Sequence, residues 1–141
     1  MKNKIQCQIN FKKKNNLPAF LIKKTLKKSL FLLKIKQAEI SLAFVSVQEI
    51  TRLNRIYLCR NYATDVLSFS YYFKNNFLSG EIIICWPVVR KNAQKEKVSE
   101  ITELKRVLVH GLLHLCGYDH KKNKESLLMS KKEQEIFLNL N

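Results

Sequence analysis

Three histidines toward the C-terminal end of the chain have the spacing of metal ligands. They lie in the segment His110-Gly-Leu-Leu-His114-Leu-Cys-Gly117-Tyr-Asp-His120, and the 141-residue sequence contains no other histidine. Residues four apart on a helix lie one turn apart on the same face, so imidazoles at 110 and 114 can reach one ion. Gly117 permits the positive φ that ends a helix, and the next turn can return His120 to that ion. Three neutral nitrogens leave a tetrahedral position open for water, which predicts a catalytic site with one Zn²⁺ per chain.

The phase of the surrounding helix favours the same interpretation. At 100° per residue, His110 and His114 fall near Glu103 and Arg106, on the side opposite an apolar stripe. That stripe, the predicted core face, consists of Ile101, Leu104, Leu108, Leu112 and Leu115. The histidines are therefore expected beside a cleft. The alternative is that the three imidazoles only satisfy hydrogen bonds, as most isolated histidines do.

The ligand spacing also matches the frame of the metzincin proteases. Those enzymes have a glutamate directly after the first histidine, which acts as the general base. This chain has Gly111 at that position, which cannot accept a proton. A peptidase would therefore lack its base, and the pattern disfavours this reading.

Composition limits the class of partner. The net charge of +15 favours a polyanion such as nucleic acid, although a lysine-rich and asparagine-rich chain can also reflect AT-rich codons. The four widely spaced cysteines do not resemble a disulfide framework or a four-cysteine zinc site. No apolar run is long enough to span a bilayer, and no secretory signal is visible. We therefore expect a cytoplasmic protein with no membrane partner and no small-molecule cofactor.

Periodicity and cap residues predict the elements that position the histidines. Strands and helices mostly alternate, which is typical of a small single-domain α/β fold over 1–141, with about four strands in a partly parallel sheet and helices packed on it. The zinc site is expected at the end of a long helix. The predicted strands are 5–10, 38–45, 66–72 and 81–85. The predicted helices begin at Pro18, at about 47 after the Ser46 capping box, at Pro87, at Ser99 and at about 123.

The histidine segment resembles the signature H-G-x-L-H-L-x-G-Y-D-H of the YbeY family of bacterial endoribonucleases. A second block, Leu53-Asn54, Tyr57 and Thr64-Asp65-Val66-Leu67-Ser68-Phe69, is similar to the family's L-N-x-x-Y-R and T-D-V-L-S-F elements. Gly80-Glu81-Ile82 resembles the family's G-D-I, and Met129 stands where the family usually has methionine. The resemblance implies a zinc-dependent, single-strand-specific endoribonuclease that helps to mature the 3′ end of 16S ribosomal RNA and takes part in ribosome quality control. It implies ribosomal RNA and the ribosome as partners, with His110, His114 and His120 as zinc ligands.

One position departs from the resemblance. Leu58 occupies the place of the family's arginine, while Arg60 follows two residues later and Arg55 precedes. An arginine there would steady phosphate charge, so Arg60 is the candidate substrate-binding residue, and a solvated surface charge is its alternative. If the function of that arginine is lost, the chain is instead a non-catalytic, zinc-containing, ribosome-associated RNA-binding protein.

Other roles remain open at this level. The sequence assigns no catalytic acid or base and does not decide whether water or the ribose 2′-OH attacks. Asp119 and Glu103 are each expected either to orient a histidine ring or to serve locally, Asp119 as a cap and Glu103 as a partner of Arg106. The aromatic run of β-prone residues 71–73 is expected either to stack on bases or simply to build a strand.

Overall fold

The computed structural model describes residues 5–11, 17–119 and 123–140. The helices and strands mostly alternate, as the sequence predicts for an α/β fold. In chain order they are β1 (Ile5–Phe11), α1 (Ala19–Leu32), β2 (Gln37–Val45), α2 (Val47–Leu58), β3 (Val66–Lys74), β4 (Phe77–Cys85), α3 (Trp86–Glu96), α4 (Glu100–Leu115) and α5 (Asn123–Leu138).

The sheet is mixed, with the strand order β1-β2-β4-β3. β1, β2 and β4 run parallel, and β3 runs antiparallel to β4 at the edge. A two-residue turn joins β3 to β4, and its residues Asn75 and Asn76 have φ of 54° and 61°. Asparagine tolerates these angles, which a tight hairpin turn requires at both positions. The predicted α/β class with a partly parallel sheet is confirmed.

Two hydrophobic clusters cover the two faces of the sheet. The larger one packs α1 and α4 against β2 and β4, and its largest fully buried side chains include Phe44, Ile22, Leu26 and Ile82. The smaller one lies under α2 and consists of Val45, Ile50, Leu67, Ile83 and Cys85. Since α2 is short, the second face is covered only in part, and Glu39 of β2 remains exposed on it.

Helix α4 is buried on more sides than the sequence predicts. Leu104, Leu108, Leu112 and Leu115 of the predicted stripe are buried, and Ile101 is half-buried. The opposite side was expected to be open, which is wrong in part. There Val109 and Leu113 pack against Met129 and Ile136 of α5, which forms a third cluster. The histidines consequently lie between the sheet and α5, because α5 returns over the helix that carries them.

Helix ends follow the predicted cap residues. The Ser46 hydroxyl accepts a hydrogen bond from the Glu49 N–H at 3.1 Å, and the Ser99 hydroxyl accepts one from the Thr102 N–H at 3.0 Å. Gly117 has φ of 90° just beyond α4. Within the described ranges, no helix combines the length and the apolar composition needed to cross a bilayer.

Strand β4 begins at Phe77, four residues before the predicted start at 81. Ser79 and Gly80 look like loop residues, yet both pair with β2. A Cβ at Gly80 would lie 2.7 Å from Leu115 Cδ2 and 2.8 Å from the Phe69 carbonyl oxygen. Glycine here allows α4 to lie close to the sheet, and this tertiary contact extends the strand.

Candidate metal centre

His110 and His114 face each other from successive turns of α4. Their Nε2 atoms are 3.1 Å apart, and the ring centroids are 4.7 Å apart at an interplanar angle of 72°. Two imidazole nitrogens bound to one tetrahedral zinc, each about 2.0–2.1 Å from it, lie about 3.3 Å apart. The donor pair therefore fits one zinc ion with only a small adjustment. Both rings are half-buried, so they remain within reach of solvent.

A carboxylate from α5 orients the first ring. Nδ1 of His110 donates a hydrogen bond to Oε1 of Glu133. This contact places the proton on Nδ1 and leaves the Nε2 lone pair directed toward His114. A carboxylate behind a histidine is the usual support of a zinc ligand. The arrangement thus fits a metal, and it depends on an acceptor carboxylate, Glu133, that the spacing of the histidines does not predict.

Glu103 and Asp119, the two residues expected to orient a histidine ring, are placed differently from Glu133. Glu103 is buried and pairs with Arg106, with 3.4 Å between Oε2 and Nη1, so the expected i to i+3 ion pair is the one observed. Burial raises the pKa of Glu103, while Arg106 lowers it and Asp65 and Glu96 raise it further. Asp119 is half-buried at the C-terminal side of α4.

Asp65 also belongs to this region and was missed as a site residue. It is partly buried directly before β3, and burial raises its pKa. The nearby His110 opposes this effect, as do backbone hydrogen bonds and the side chain of Asn92. The sequence signal was its position inside the Thr64 to Phe69 block, which gave similarity without a role. Asp65 therefore lies within electrostatic range of His110.

Asn54 holds the loop that ends at Asp65. Its side chain is fully buried, and Nδ2 donates at 3.0 Å both to the Tyr62 carbonyl and to the Thr64 hydroxyl. The Thr64 hydroxyl in turn donates to the Val66 carbonyl at 3.0 Å. The buried Oδ1 of Asn54 has no protein partner among the described residues. Asn54 therefore links the end of α2 to the position of Asp65.

The candidate arginine lies on this loop. Arg60 is exposed, and its backbone N–H donates to the Asn54 carbonyl at 3.2 Å after Cys59 adopts a left-handed φ of 55°. Arg55 is tied to the same loop, because its Nε donates to Asn61 Oδ1 at 3.1 Å. Leu58 ends α2 and is 45% exposed.

Strand β3 is joined to α4 by two side-chain hydrogen bonds. The Ser68 hydroxyl donates to the Gly111 carbonyl at 3.2 Å, and the Ser70 hydroxyl donates to the Leu115 carbonyl at 3.0 Å. A Cβ at Gly111 would lie 3.1 Å from Ile82 Cγ2 and 3.2 Å from Ser68 Oγ. The position that carries the metzincin base thus faces the sheet here and has no room for a glutamate side chain.

The third predicted ligand, His120, lies outside the described residues. Within the part of the chain that the structure describes, no group of three His, Cys, Asp or Glu side chains is arranged to hold a metal ion. The described cysteines, Cys59, Cys85 and Cys116, are free thiols. Burial raises the pKa of Cys116 to about 12 and also raises that of Cys85, which disfavours both as thiolate ligands.

Known proteins of one family match this chain over nearly its whole length. The family model for endoribonuclease YbeY matches residues 3–141. The endoribonuclease YbeY of Syntrophus aciditrophicus (strain SB) is 37% identical over 135 residues, covering 91% of this chain and 84% of the relative. That of Buchnera aphidicola subsp. Schizaphis graminum (strain Sg) is 34% identical over 139 residues, covering 95% and 87%. The solution structure of TM1509 from Thermotoga maritima has a TM-score of 0.67 and 28% identity, covering 96% of this chain and 89% of that one.

Proposed function

Since the chain belongs to the YbeY endoribonuclease family, we propose that it is a zinc-dependent endoribonuclease that cuts single-stranded RNA. Its task would be to mature the 3′ end of 16S ribosomal RNA and to take part in ribosome quality control in the cytoplasm. The observation that carries this proposal is the pair of Nε2 atoms of His110 and His114, 3.1 Å apart, with Glu133 bonded behind the first ring.

The proposed zinc ligands are His110, His114 and His120, with one ion per chain. When bound, zinc supplies a Lewis acid for a phosphoryl oxygen and lowers the pKa of a coordinated water. Glu133 keeps His110 in the tautomer that ligates and fixes the direction of its ring. Because this support comes from α5, the proposed centre is complete only when α5 is packed on α4.

Asp65 is the proposed proton acceptor of the site. It lies close enough to His110 for the two to interact electrostatically, and its partial burial makes it a stronger base than an exposed aspartate. A water nucleophile and a ribose 2′-OH each have to lose a proton, so either route needs such a group. Asn54 contributes indirectly, because it holds the loop that carries Asp65.

Charge supports RNA as the substrate. The chain carries a net charge of +15, and lysine–phosphate contacts release counterions, so affinity for RNA should fall steeply with salt. Ribosomal RNA and the ribosome are the proposed partners. Single strands are the proposed form of the RNA, because their unpaired bases and flexible backbone can bring the scissile phosphate to half-buried histidines.

A second candidate function rests on Leu58. If the missing arginine is not replaced, the chain binds zinc and RNA at the ribosome without cleavage. The exposed side chain of Leu58 at the end of α2 favours this candidate, because leucine offers no charge to a phosphate.

Metal analysis and RNA cleavage on one purified sample separate the two candidates. We expect about one zinc per chain and cutting of a labelled single strand that stops after chelation and returns with zinc. Zinc without cleavage would support the binding protein, and a sample that cuts equally well after complete metal removal would contradict the proposal.

The role of Glu133 has its own readout in metal affinity. Glu133→Gln should weaken zinc binding about 10-fold to 100-fold, the usual cost of losing a carboxylate behind a ligand. Glu135→Gln is the matched control, because that carboxylate lies on the same helix and pairs with Lys132 at 3.6 Å. Equal zinc affinity of the two variants in a competition titration would show that Glu133 does not support the ligand.

A further inference from the structure

Five aromatic side chains lie together on the sheet face that α2 leaves partly uncovered. They are Tyr57, Phe69, Tyr71, Tyr72 and Phe77, here called the aromatic surface. Tyr57, Tyr71 and Tyr72 are 60%, 64% and 48% exposed, and the two phenylalanines are half-buried. Tyrosine normally buries much of its ring, so three neighbouring exposed tyrosines point to a binding surface.

The path of β3 explains why these rings share one face. Phe69 pairs with Glu81, and Tyr72 pairs with Ser79, two positions apart along β4 and therefore on the same face. A register shift between Ser70 and Tyr72 inserts an extra residue at this point. The bulge lets Tyr71 reach the same face, where its hydroxyl meets Glu81.

The rings are held in place by contacts among themselves. Tyr57 packs edge-on against Phe69 with centroids 5.0 Å apart, and Tyr72 lies 5.8 Å from Phe77. The Tyr71 hydroxyl donates to Glu81 Oε2 at 2.8 Å, and this bond raises the pKa of Tyr71. Because the rings are ordered before a ligand arrives, binding costs less conformational entropy.

Basic side chains border the aromatic surface. Lys74 pairs with Phe77 and so shares its face, Arg60 follows the end of α2 three residues after Tyr57, and both are exposed. Exposed rings next to cationic groups are how single-stranded nucleic acid is held without reading its sequence, since every base has a π face and every nucleotide a phosphate. Glu81 is a negative charge on this face, and its bond to Tyr71 directs it toward a phenolic hydroxyl.

We propose that the aromatic surface is a stacking platform for the bases of single-stranded RNA that enters the metal centre. This inference rests on the proposed function and adds the surface that holds the strand. Asp65, which interacts electrostatically with His110, directly precedes β3, and Phe69 lies four residues further, about 13 Å along the strand. The histidines lie on the opposite face of β3, and β3 is an edge strand, so an RNA strand stacked on these rings reaches them by passing around that edge. Paired bases in a duplex cannot stack on the rings.

The test is direct binding of RNA by the zinc-loaded full chain. The probe is a fluorescent, cleavage-resistant 2′-O-methyl phosphorothioate single strand of about ten nucleotides, a typical length for such sites. Tyr57→Ala, Tyr71→Ala and Tyr72→Ala should each bind about 5-fold to 100-fold more weakly, while Tyr71→Phe, which keeps the ring, should bind nearly as well as the wild type. Phe20→Ala is the matched control, since Phe20 is an aromatic residue of α1 that is 79% exposed elsewhere.

An abasic probe keeps the test independent of how well the variants fold. On wild-type protein it should bind as weakly as the normal probe binds the alanine variants. Unchanged affinity in folded tyrosine variants, or equal affinity for abasic and normal probes, overturns the platform. A change of oligomeric state in those variants without a change in RNA affinity also overturns it and makes the surface a protein interface. Ring-dependent binding by a wild type that cuts no RNA keeps the platform and refutes the nuclease.

Discussion

The candidate metal centre and the aromatic surface lie on opposite faces of the same edge strand. Ser68 and Ser70 of β3 hydrogen-bond to α4 on one side, while Phe69 between them contacts Tyr57 on the other. The histidines are half-buried between the sheet and α5, whereas the tyrosines are mostly exposed. One strand therefore presents a partly enclosed face suited to chemistry and an open face suited to holding a long, flexible ligand.

The two regions depend on the fold in different ways. The pair His110 and His114 is set by helix geometry, whereas its support from Glu133 is long-range. The aromatic surface has no local origin, because it combines the end of α2, a bulge in β3 and the hairpin partner β4. Changes at the centre should thus act on metal and chemistry, and changes at the surface on RNA affinity.

The largest effect is expected from His114→Ala. Two remaining ligands and water rarely hold zinc at cellular levels, so the variant should lose its metal and its cleavage together. Tyr71→Ala, on the opposite face, should keep about one zinc per chain. Elemental analysis of both variants tests the separation, and full zinc content in His114→Ala would show that the ligand is misassigned.

The next effect concerns the loop between the two regions. Arg60→Ala should cost about 2–4 kcal/mol of transition-state stabilisation, the scale of losing one charge-stabilising donor, with zinc retained. Adding Leu58→Arg should restore much of the rate, because position 58 is 45% exposed and can hold a charged side chain. Single-turnover cleavage by the wild type, both single variants and the double variant measures this.

Two outcomes would change the roles assigned to Arg60 and Leu58. Cleavage by Arg60→Ala at the wild-type rate would remove Arg60 from the site. An inert wild type that Leu58→Arg activates would show that the chain is an RNA-binding protein that has lost its nuclease activity.

A smaller effect is expected where both regions meet the sheet. Gly80→Ala should destabilise the fold by about 1–3 kcal/mol, because its Cβ would lie 2.8 Å from the Phe69 carbonyl and 2.7 Å from Leu115. Gly111→Ala should destabilise the fold less, since its Cβ would lie 3.1 Å from the nearest atom, in the Ile82 side chain. The denaturant midpoints of the two variants measure this difference in stability. Equal midpoints would show that the close approach at Gly80 does not make that position less tolerant of a Cβ than Gly111.

The sequence predicts the parts of the molecule that depend on local spacing. The caps at Ser46 and Ser99 and the one-turn separation of His110 and His114 follow from neighbouring residues. The family and the α/β class were also predictable. Glu133 was not, because its contact with His110 spans 23 residues and depends on how α5 packs. The early start of β4 and the second buried side of α4 were missed for the same reason.

The smallest effect is a pH dependence of stability on the enclosed side. Burial raises the pKa of Glu103, Arg106 lowers it, and Asp65 and Glu96 raise it. A raised folded pKa means that the fold favours the protonated carboxyl. This contribution to stability is fully present below the unfolded value of 4.5 and is lost as pH rises through the folded pKa. Glu103→Gln stays neutral, so its free energy of unfolding should not show this loss relative to the wild type.

Two opposing changes keep the net effect of Glu103→Gln small at neutral pH. The variant avoids the cost of a buried carboxylate but also loses the ion pair with Arg106, whose side chain is 46% exposed, and such a pair contributes at most about 1 kcal/mol. Arg106→Ala should act in the opposite direction and steepen the decline, because it removes the charge that lowers the pKa of Glu103. Chemical denaturation of the wild type and both variants from acidic to neutral pH measures the slopes. Parallel curves for all three proteins would mean that Glu103 is effectively solvated, and the contrast in burial between the two faces of β3 would then be weaker than the packing indicates.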